Sequence, residues 1–99
     1  MTGYDETLSA HLRITILRVL ERAPGYQAND SVLTDAAHMR GIGVARDRVR
    51  TELAWLAEQG LVKVEAFESI RVASITRRGQ DVAAGLATVP GVRRPGAGG

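Results

Sequence analysis

Residues 49–62 decide the fold of this chain, and they read Val-Arg-Thr-Glu-Leu-Ala-Trp-Leu-Ala-Glu-Gln-Gly-Leu-Val. Val49, Leu53 and Leu56 recur at i, i+4 and i+7, which is the spacing of one apolar face of an α-helix. Gly60 stands where the C-terminal end of such a helix is expected. The residues after it are rich in valine and favour β-structure. The stretch therefore predicts a helix that packs on a core and leads directly into a β-hairpin.

The rest of the chain extends this pattern in both directions. Apolar spacing, caps and turn residues predict helices over residues 5–22, 30–40, 46–59 and 77–87, and strands near residues 61–67 and 70–76 joined by a turn at Glu68 and Ser69. The predicted order is α-α-α-β-β-α, a mainly α fold with a small β-hairpin (α+β). Residues 1–87 are predicted to form one domain. Residues 88–99 hold two of the three prolines and four glycines and are predicted to be a flexible tail.

The composition indicates a small globular protein. Its 99 residues suffice for one core, and a hydrophobic fraction of 44% with a charged fraction of 24% is typical of a folded domain. Cysteine is absent, which excludes disulfides and thiolate metal sites. No apolar run approaches the ~20 residues of a membrane span, and the acidic N-terminus is unlike a signal peptide, so we expect a cytoplasmic protein.

The positive charge is unevenly distributed. The formal net charge is +2, but residues 40–50 and residues 77–99 each carry four arginines against one aspartate. Such segregation is the electrostatic footprint of a protein that binds a polyanion. Twelve of the thirteen basic residues are arginine, which a GC-rich genome could also produce. Codon bias explains the choice of arginine over lysine but not the clustering.

Four polar side chains at the start of the predicted third helix are candidates for contact with DNA. Arg46 and Arg50 are four residues apart and share a face, and Arg48 and Thr51 flank them. We expect all four to point outward, where arginine can bond to guanine edges or neutralise phosphates. The alternative is a solvated helix face with local ion pairs, such as Arg48 with Glu52. Further along the chain, Arg71, Arg77 and Arg78 are predicted to reach flanking phosphates.

The other reactive residues do not form a recognisable site. His11 and His38 have no cysteine or carboxylate at ligand spacing, so we expect no metal. The turn Gly41-Ile42-Gly43 lacks the Gly-Lys-Ser/Thr ending of a phosphate loop. No nucleophile context suggests catalysis, and we expect neither an enzyme nor a cofactor. Trp55 is interpreted as a core residue or a subunit contact.

Two motifs carry a resemblance to known proteins. Val49-Arg50-x-x-Leu53-x-x-Leu56-x-x-x-Gly60-Leu61-Val62 resembles the helix-to-wing signature of MarR-, ArsR- and GntR-like regulators. Ile75-Thr76-x-x-Gly79 is similar to the strand-to-helix step after the wing in MarR- and PadR-like proteins. Together with the compact size and the segments 23–26 and 89–95, the chain resembles a small winged-helix family of Mu-like phages and prophages. The resemblance implies a winged helix-turn-helix fold and a phage context.

Three features depart from that pattern. Ala45 stands where the third helix usually has a Ser or Thr cap. The predicted hairpin carries Glu65 and Glu68, which would repel phosphates. The metal-binding cysteines of ArsR proteins are absent, so metal sensing is not implied.

The sequence thus favours a sequence-specific protein that binds double-stranded DNA as a homodimer and regulates transcription in a phage or prophage. The two chains are expected to pair through the first and fourth helices, the latter offering Val82, Ala83 and Leu86. The alternative is a protein-interaction or assembly module of a phage packaging or morphogenesis complex, which the acidic hairpin suits better. A continuous positive face over the third helix would favour DNA, and a broken one would favour the alternative.

Overall fold

The computed structural model describes residues 2–96 and shows an α+β arrangement of four helices and three strands within that range. The strands form one antiparallel sheet in the order β1-β3-β2. In chain order the elements are α1 (Thr2–Arg22), a 3₁₀ turn (Pro24–Tyr26), β1 (Gln27–Asn29), α2 (Asp30–Met39), α3 (Arg46–Glu58), β2 (Val62–Phe67), β3 (Ile70–Ile75) and α4 (Arg77–Ala83).

Strand β1 corrects the predicted element order, which has no helix or strand between residues 22 and 30. Gln27 pairs with Ser74 and Asn29 pairs with Val72, so a third strand joins the β2–β3 hairpin. The observed order is therefore α-β-α-α-β-β-α. A strand of three residues is too short to show an alternating pattern, which is why the sequence did not reveal it.

The end of α3 confirms the prediction made from Gly60. Gly60 adopts a φ of 77°, and its amide donates to the carbonyl of Ala57 at 3.0 Å. The amide of Leu61 donates to the carbonyl of Leu56, also at 3.0 Å, which completes a Schellman motif. The chain turns through this motif straight into β2, and the predicted hairpin turn at Glu68 and Ser69 is also confirmed.

The core lies between the helices and the inner face of the sheet. Val49, Leu53 and Leu56 are fully buried, as their spacing predicted, and they pack on a stripe of α1. The principal α1 contributions to the core are Leu12, Ile16, Leu17 and Leu20.

Within residues 2–96, no helix is both long enough and apolar enough to cross a membrane.

Helix α4 is shorter than predicted. Thr76 caps its start, since the Thr76 hydroxyl accepts a hydrogen bond from the Gly79 amide at 3.0 Å. The helix was expected to reach about residue 87 but ends at Ala83, because Gly85 takes a φ of 81° and reverses the chain. Leu86 is consequently outside the helix and largely exposed.

The segment after α4 packs on the domain, which corrects the predicted flexible tail. Val89 and Val92 join the core, with 5% and 9% of their surface exposed. The amide of Arg93 donates to the carbonyl of Ala10 in α1 at 3.2 Å. Two valines three residues apart therefore supply enough apolar surface to hold the segment, despite its prolines and glycines. Residues 97–99 of the predicted tail lie outside the described residues.

Candidate nucleic-acid interface

The N-terminal half of α3 separates its polar side chains into two groups. Arg46 and Thr51 face solvent, as predicted, and the Arg46 side chain is 45% exposed. The Thr51 hydroxyl donates to the carbonyl of Asp47 one turn earlier at 3.1 Å. Ala45 precedes the helix without any side-chain capping bond, also as predicted. Arg48 and Arg50 behave differently, because both turn toward buried carboxylates.

Arg50 is held by Asp30, the first residue of α2. Asp30 is completely buried, and one of its carboxylate oxygens accepts a hydrogen bond from Arg50 Nε. A terminal amino group of Arg50 donates to the carbonyl of Ser69 in the hairpin turn. The Arg71 amide donates to the other Asp30 oxygen at 3.3 Å, and Arg46 Nε lies 3.8 Å from Asp30. One carboxylate thus ties α2, α3 and the tip of the hairpin together.

Burial raises the pKa of Asp30, but the hydrogen bonds from Arg50 and the Arg71 amide outweigh it and leave the pKa below its ordinary value. Asp30 is therefore ionised at neutral pH. Because the Arg50 guanidinium serves this carboxylate, the expectation that Arg50 projects freely from the helix is wrong. Its side chain is 27% exposed and acts as a brace between α3 and the hairpin.

Arg48 is held by Glu52, so the local ion pair stated above as the alternative to DNA contact is present, but Glu52 is buried instead of lying on a solvated face. The Glu52 side chain is 3% exposed and accepts a bond from Arg48 Nε at 2.9 Å. Arg13 Nε donates to it at 2.7 Å and the Ser9 hydroxyl at 2.8 Å, both from α1. Arg48 also bonds to Ser9 at 2.7 Å and lies 3.2 Å from Asp5. The predicted outward position of Arg48 is therefore wrong, because this side chain fastens α3 to α1.

The same network shifts the pKa values of Glu52 and Arg48. Burial raises the pKa of Glu52, and the hydrogen bonds from Arg48, Arg13 and Ser9 lower it further than burial raises it. The hydrogen bond to Glu52 likewise raises the pKa of Arg48, so this pair stays charged at neutral pH. Trp55 extends the network, since the Arg13 guanidinium stacks 3.7 Å from its ring centroid. Trp55 is half-buried there, beneath the C-terminal segment.

The resulting charge over α3 is broken rather than continuous. Arg46 and Arg50 share the single buried carboxylate of Asp30, so one positive charge remains uncompensated at that corner. The charge of Arg48 is balanced by Glu52. Asp47 and Glu58 are exposed elsewhere on the helix, and Glu65 and Glu68 are exposed on the hairpin.

The flanking arginines lie at the surface to different extents. The side chain of Arg77 is 89% exposed at the start of α4 and lies 3.9 Å from the Asp81 carboxylate. Arg78 is also exposed, whereas Arg71 is half-buried on β3. Among residues 2–96, no group of three or more His, Asp or Glu side chains is arranged to hold a metal ion.

The structural roles of Asp30, Glu52, Ser9 and Arg13 escaped the sequence analysis. A helical projection places Glu52 beside the apolar stripe of Val49 and Leu56, and this was the available signal that it is buried. No local signal marked Asp30, because its partners are 20 and 41 positions away.

Comparison with known proteins finds one phage protein and one bacterial protein that are similar to this chain. No protein-family model matches it, and no solved structure is a significant match. It is 45% identical over 91 residues to uncharacterized protein gp26 of Escherichia phage Mu, an alignment that covers 92% of this chain and 94% of gp26. It is 43% identical over 77 residues to an uncharacterized protein of Haemophilus influenzae, covering 77% of this chain and 74% of that protein. The chain therefore belongs to the family of the phage Mu protein gp26.

Proposed function

We propose that this chain is a winged helix-turn-helix protein that binds double-stranded DNA in a Mu-like phage or prophage. The succession of α2, a short turn, α3 and the β2–β3 hairpin supports a helix-turn-helix with α3 as recognition helix and the hairpin as wing. The observation that carries the proposal is the bracing by Asp30. It joins the start of α2, the start of α3 and the wing tip into one surface, and the α3 side chains that approach its carboxylate are the arginines Arg46 and Arg50.

The contact set is narrower than the sequence indicated. In this proposal α3 enters the major groove with Arg46 and Thr51 as its leading side chains. Arg50 positions the wing, and Arg48 positions the helix, so neither is a primary contact. Arg77 and Arg78 serve flanking phosphates, with Arg71 on the wing strand. A homodimer matching a palindromic site and a role in transcription regulation remain part of the proposal.

Fluorescence anisotropy with a labelled duplex of random sequence and with labelled fragments of a Mu-like prophage tests this proposal. Arg46→Ala should weaken binding and reduce the slope of log affinity against log salt by about 0.9, the value for one phosphate. Lys63→Ala removes the same charge at the base of the hairpin, away from the tip, and should weaken binding less than Arg46→Ala does. If the wild-type chain binds DNA and Arg46→Ala binds it with the same affinity, recognition by α3 is refuted.

A second candidate function is a protein-interaction module in a phage assembly complex. The broken positive charge over α3 favours it, as do the acidic residues of the hairpin. Three exposed apolar side chains favour it as well: Val32 and Met39 on α2 and Phe67 at the end of β2. In the same assay, a folded wild-type chain that binds neither duplex at low salt would overturn the DNA proposal in favour of this one.

A further inference from the structure

A trough lined by arginines runs along the outer side of α1. His11, Thr15, Arg18 and Arg22 form a ridge at helical spacing. Ser9 and Arg13 lie on the opposite side of the same helix, where they contact α3 through Glu52. The trough therefore faces away from the surface that α3 presents.

Two adjoining cavities make up the trough. The larger, of about 360 Å³, includes Arg93, Arg94 and Pro95 of the C-terminal segment along one wall. The smaller, of about 180 Å³, extends to Arg40 at the end of α2. Thr15 and Arg18 line both, so the two are neighbours along α1. Of the described residues that line them, five are arginines, one is a histidine and none is a carboxylate.

The C-terminal wall is held in place rather than mobile. Val92 is buried, and the Arg93 amide is bonded to the Ala10 carbonyl. Arg13 donates to the carbonyl of Gly91 at 2.9 Å, while the backbone of Gly91 passes against the Trp55 ring. These contacts set Arg93 and Arg94 beside α1 before any ligand arrives, which lowers the entropy lost on binding.

The acidic residue of α1 nearest in sequence to this ridge borders one end of the trough. Glu21 lies on the α4 side, where it lines a neighbouring cavity with Ala83 and Ala84, and that cavity shares Arg18 and Arg22 with the trough. Arg18 has interactions within the chain as well, and Arg40 donates to the carbonyl of Ala36 at 3.2 Å. Arg22, Arg93 and Arg94 are exposed to solvent.

From this arrangement we infer that the trough binds the phosphodiester backbone of a nucleic acid. From His11 to Arg22 the ridge spans about 16 Å at the helical rise of 1.5 Å per residue. Phosphates of one DNA strand follow one another by about 3.4 Å along the duplex axis and lie further apart along the winding strand, so the ridge is long enough to contact more than one of them. Guanidinium groups bind phosphate oxygens through paired hydrogen bonds. The inference goes beyond the proposed function, because this surface would act independently of α3 and could hold a second segment of DNA.

The test uses two double variants of the full chain, Arg93→Ala/Arg94→Ala and Arg22→Ala/Arg40→Ala. Circular dichroism and thermal melting first establish that each variant folds. If one variant does not fold, the other variant alone tests the inference. With a salt slope of about −0.9 per phosphate, counterion release strengthens binding by about eightfold per phosphate when the salt concentration is lowered from about 1 M to about 0.1 M. Loss of two contacts should therefore weaken binding to a random duplex by up to about 60-fold and flatten the slope by about 1.8.

The variants also separate this inference from the proposed function. A trough variant that loses affinity while Arg46→Ala does not would support the trough and refute recognition by α3. If Arg46→Ala loses affinity and the trough variants do not, DNA binding by the trough is refuted and recognition by α3 is supported. Poly-glutamate is the competing probe: if it binds the trough and duplex DNA does not, the occupant is an acidic protein segment and the inference is refuted. Lys63→Ala is the control for the loss of charge.

Discussion

Replacement of Glu52 by glutamine tests whether buried ion pairs fix the position of α3. The substitution keeps the size of the side chain but removes its negative charge. Arg13 and Arg48 then lose the carboxylate that each contacts within 3 Å, and Ser9 loses its charged acceptor. The two guanidinium groups remain where they are, with 15% and 25% of their side chains exposed, so solvent can compensate only part of the loss.

The expected cost follows from this geometry. Removing one partner of a buried ion pair destabilises a protein by about 3–5 kcal/mol, because an uncompensated buried charge remains. Partial exposure of both arginines places the expected loss near the lower end, at about 3 kcal/mol. The Asp5 contact adds little, since its side chain is 65% exposed. For a domain of this size, about 3 kcal/mol corresponds to a drop in melting temperature of roughly 12–24 °C.

Urea unfolding at pH 7, with the slope m compared between variants, measures this loss. Glu58→Gln is the matched control, since Glu58 is exposed on the same helix and its replacement should change stability by less than ~0.5 kcal/mol. A loss below ~1 kcal/mol for Glu52→Gln, with m unchanged, would refute the argument that the network holds α3.

The pH dependence gives an independent check. The pKa of Glu52 is lower in the folded chain than its ordinary value, so its contribution is present above the unfolded pKa and is lost as pH falls through the folded pKa. Wild-type stability should therefore decline below about pH 4, and Glu52→Gln should decline less over the same range. Equal acid dependence in the two proteins would contradict ionisation of Glu52 as its source.

Four further expectations concern packing and assembly. Leu53→Ala should cost about 2–5 kcal/mol in urea unfolding, because Leu53 is fully buried. Gly79→Ala should destabilise by at least about 1–3 kcal/mol, since a Cβ there would meet the Leu61 carbonyl oxygen at 2.1 Å, whereas Gly43→Ala has open space and should be tolerated. Truncation after residue 88 should lower the melting temperature, because it removes two buried valines; an unchanged value would show that the segment does not pack. Analytical ultracentrifugation at micromolar concentration should reveal a dimer, and a result that shows only monomer would refute the proposed homodimer.

The sequence predicted best where the signal was local and periodic. The stripe of Val49, Leu53 and Leu56 and the turn at Gly60 depend on neighbouring residues, and both were confirmed. The roles of the arginines depend on distant residues instead. Arg48 bonds to Ser9, which is 39 positions away, so helical periodicity could say only that Arg48 lies off the apolar stripe. Such a position can face either solvent or a buried carboxylate on another helix.

Composition misled where a few apolar residues decided the outcome. Prolines and glycines around Val89 and Val92 suggested an unstructured tail, yet those two valines belong to the core, and the Arg93 amide beside them bonds to Ala10 of α1. Gly91 contributes to this packing instead of to flexibility. Its φ of 96° and its missing side chain let the backbone pass the Trp55 ring, which a Cβ would approach within 2.8 Å.

The start of α3 combines a missing cap at Ala45 with two arginines that are paired to buried carboxylates. Without a capping side chain, the start of α3 is instead fastened from both sides, by Arg48 to α1 and by Arg50 to Asp30 and the hairpin. This arrangement fixes the orientation of α3 but uses two of its three arginines, which leaves Arg46 as the main charged contact. One phosphate contributes a salt slope of only about −0.9, so α3 alone would bind DNA weakly. A chain that binds DNA tightly must therefore draw on other positive surfaces, and the flanking arginines of α4, a second protomer and the trough along α1 each predict a different set of variants that lose affinity.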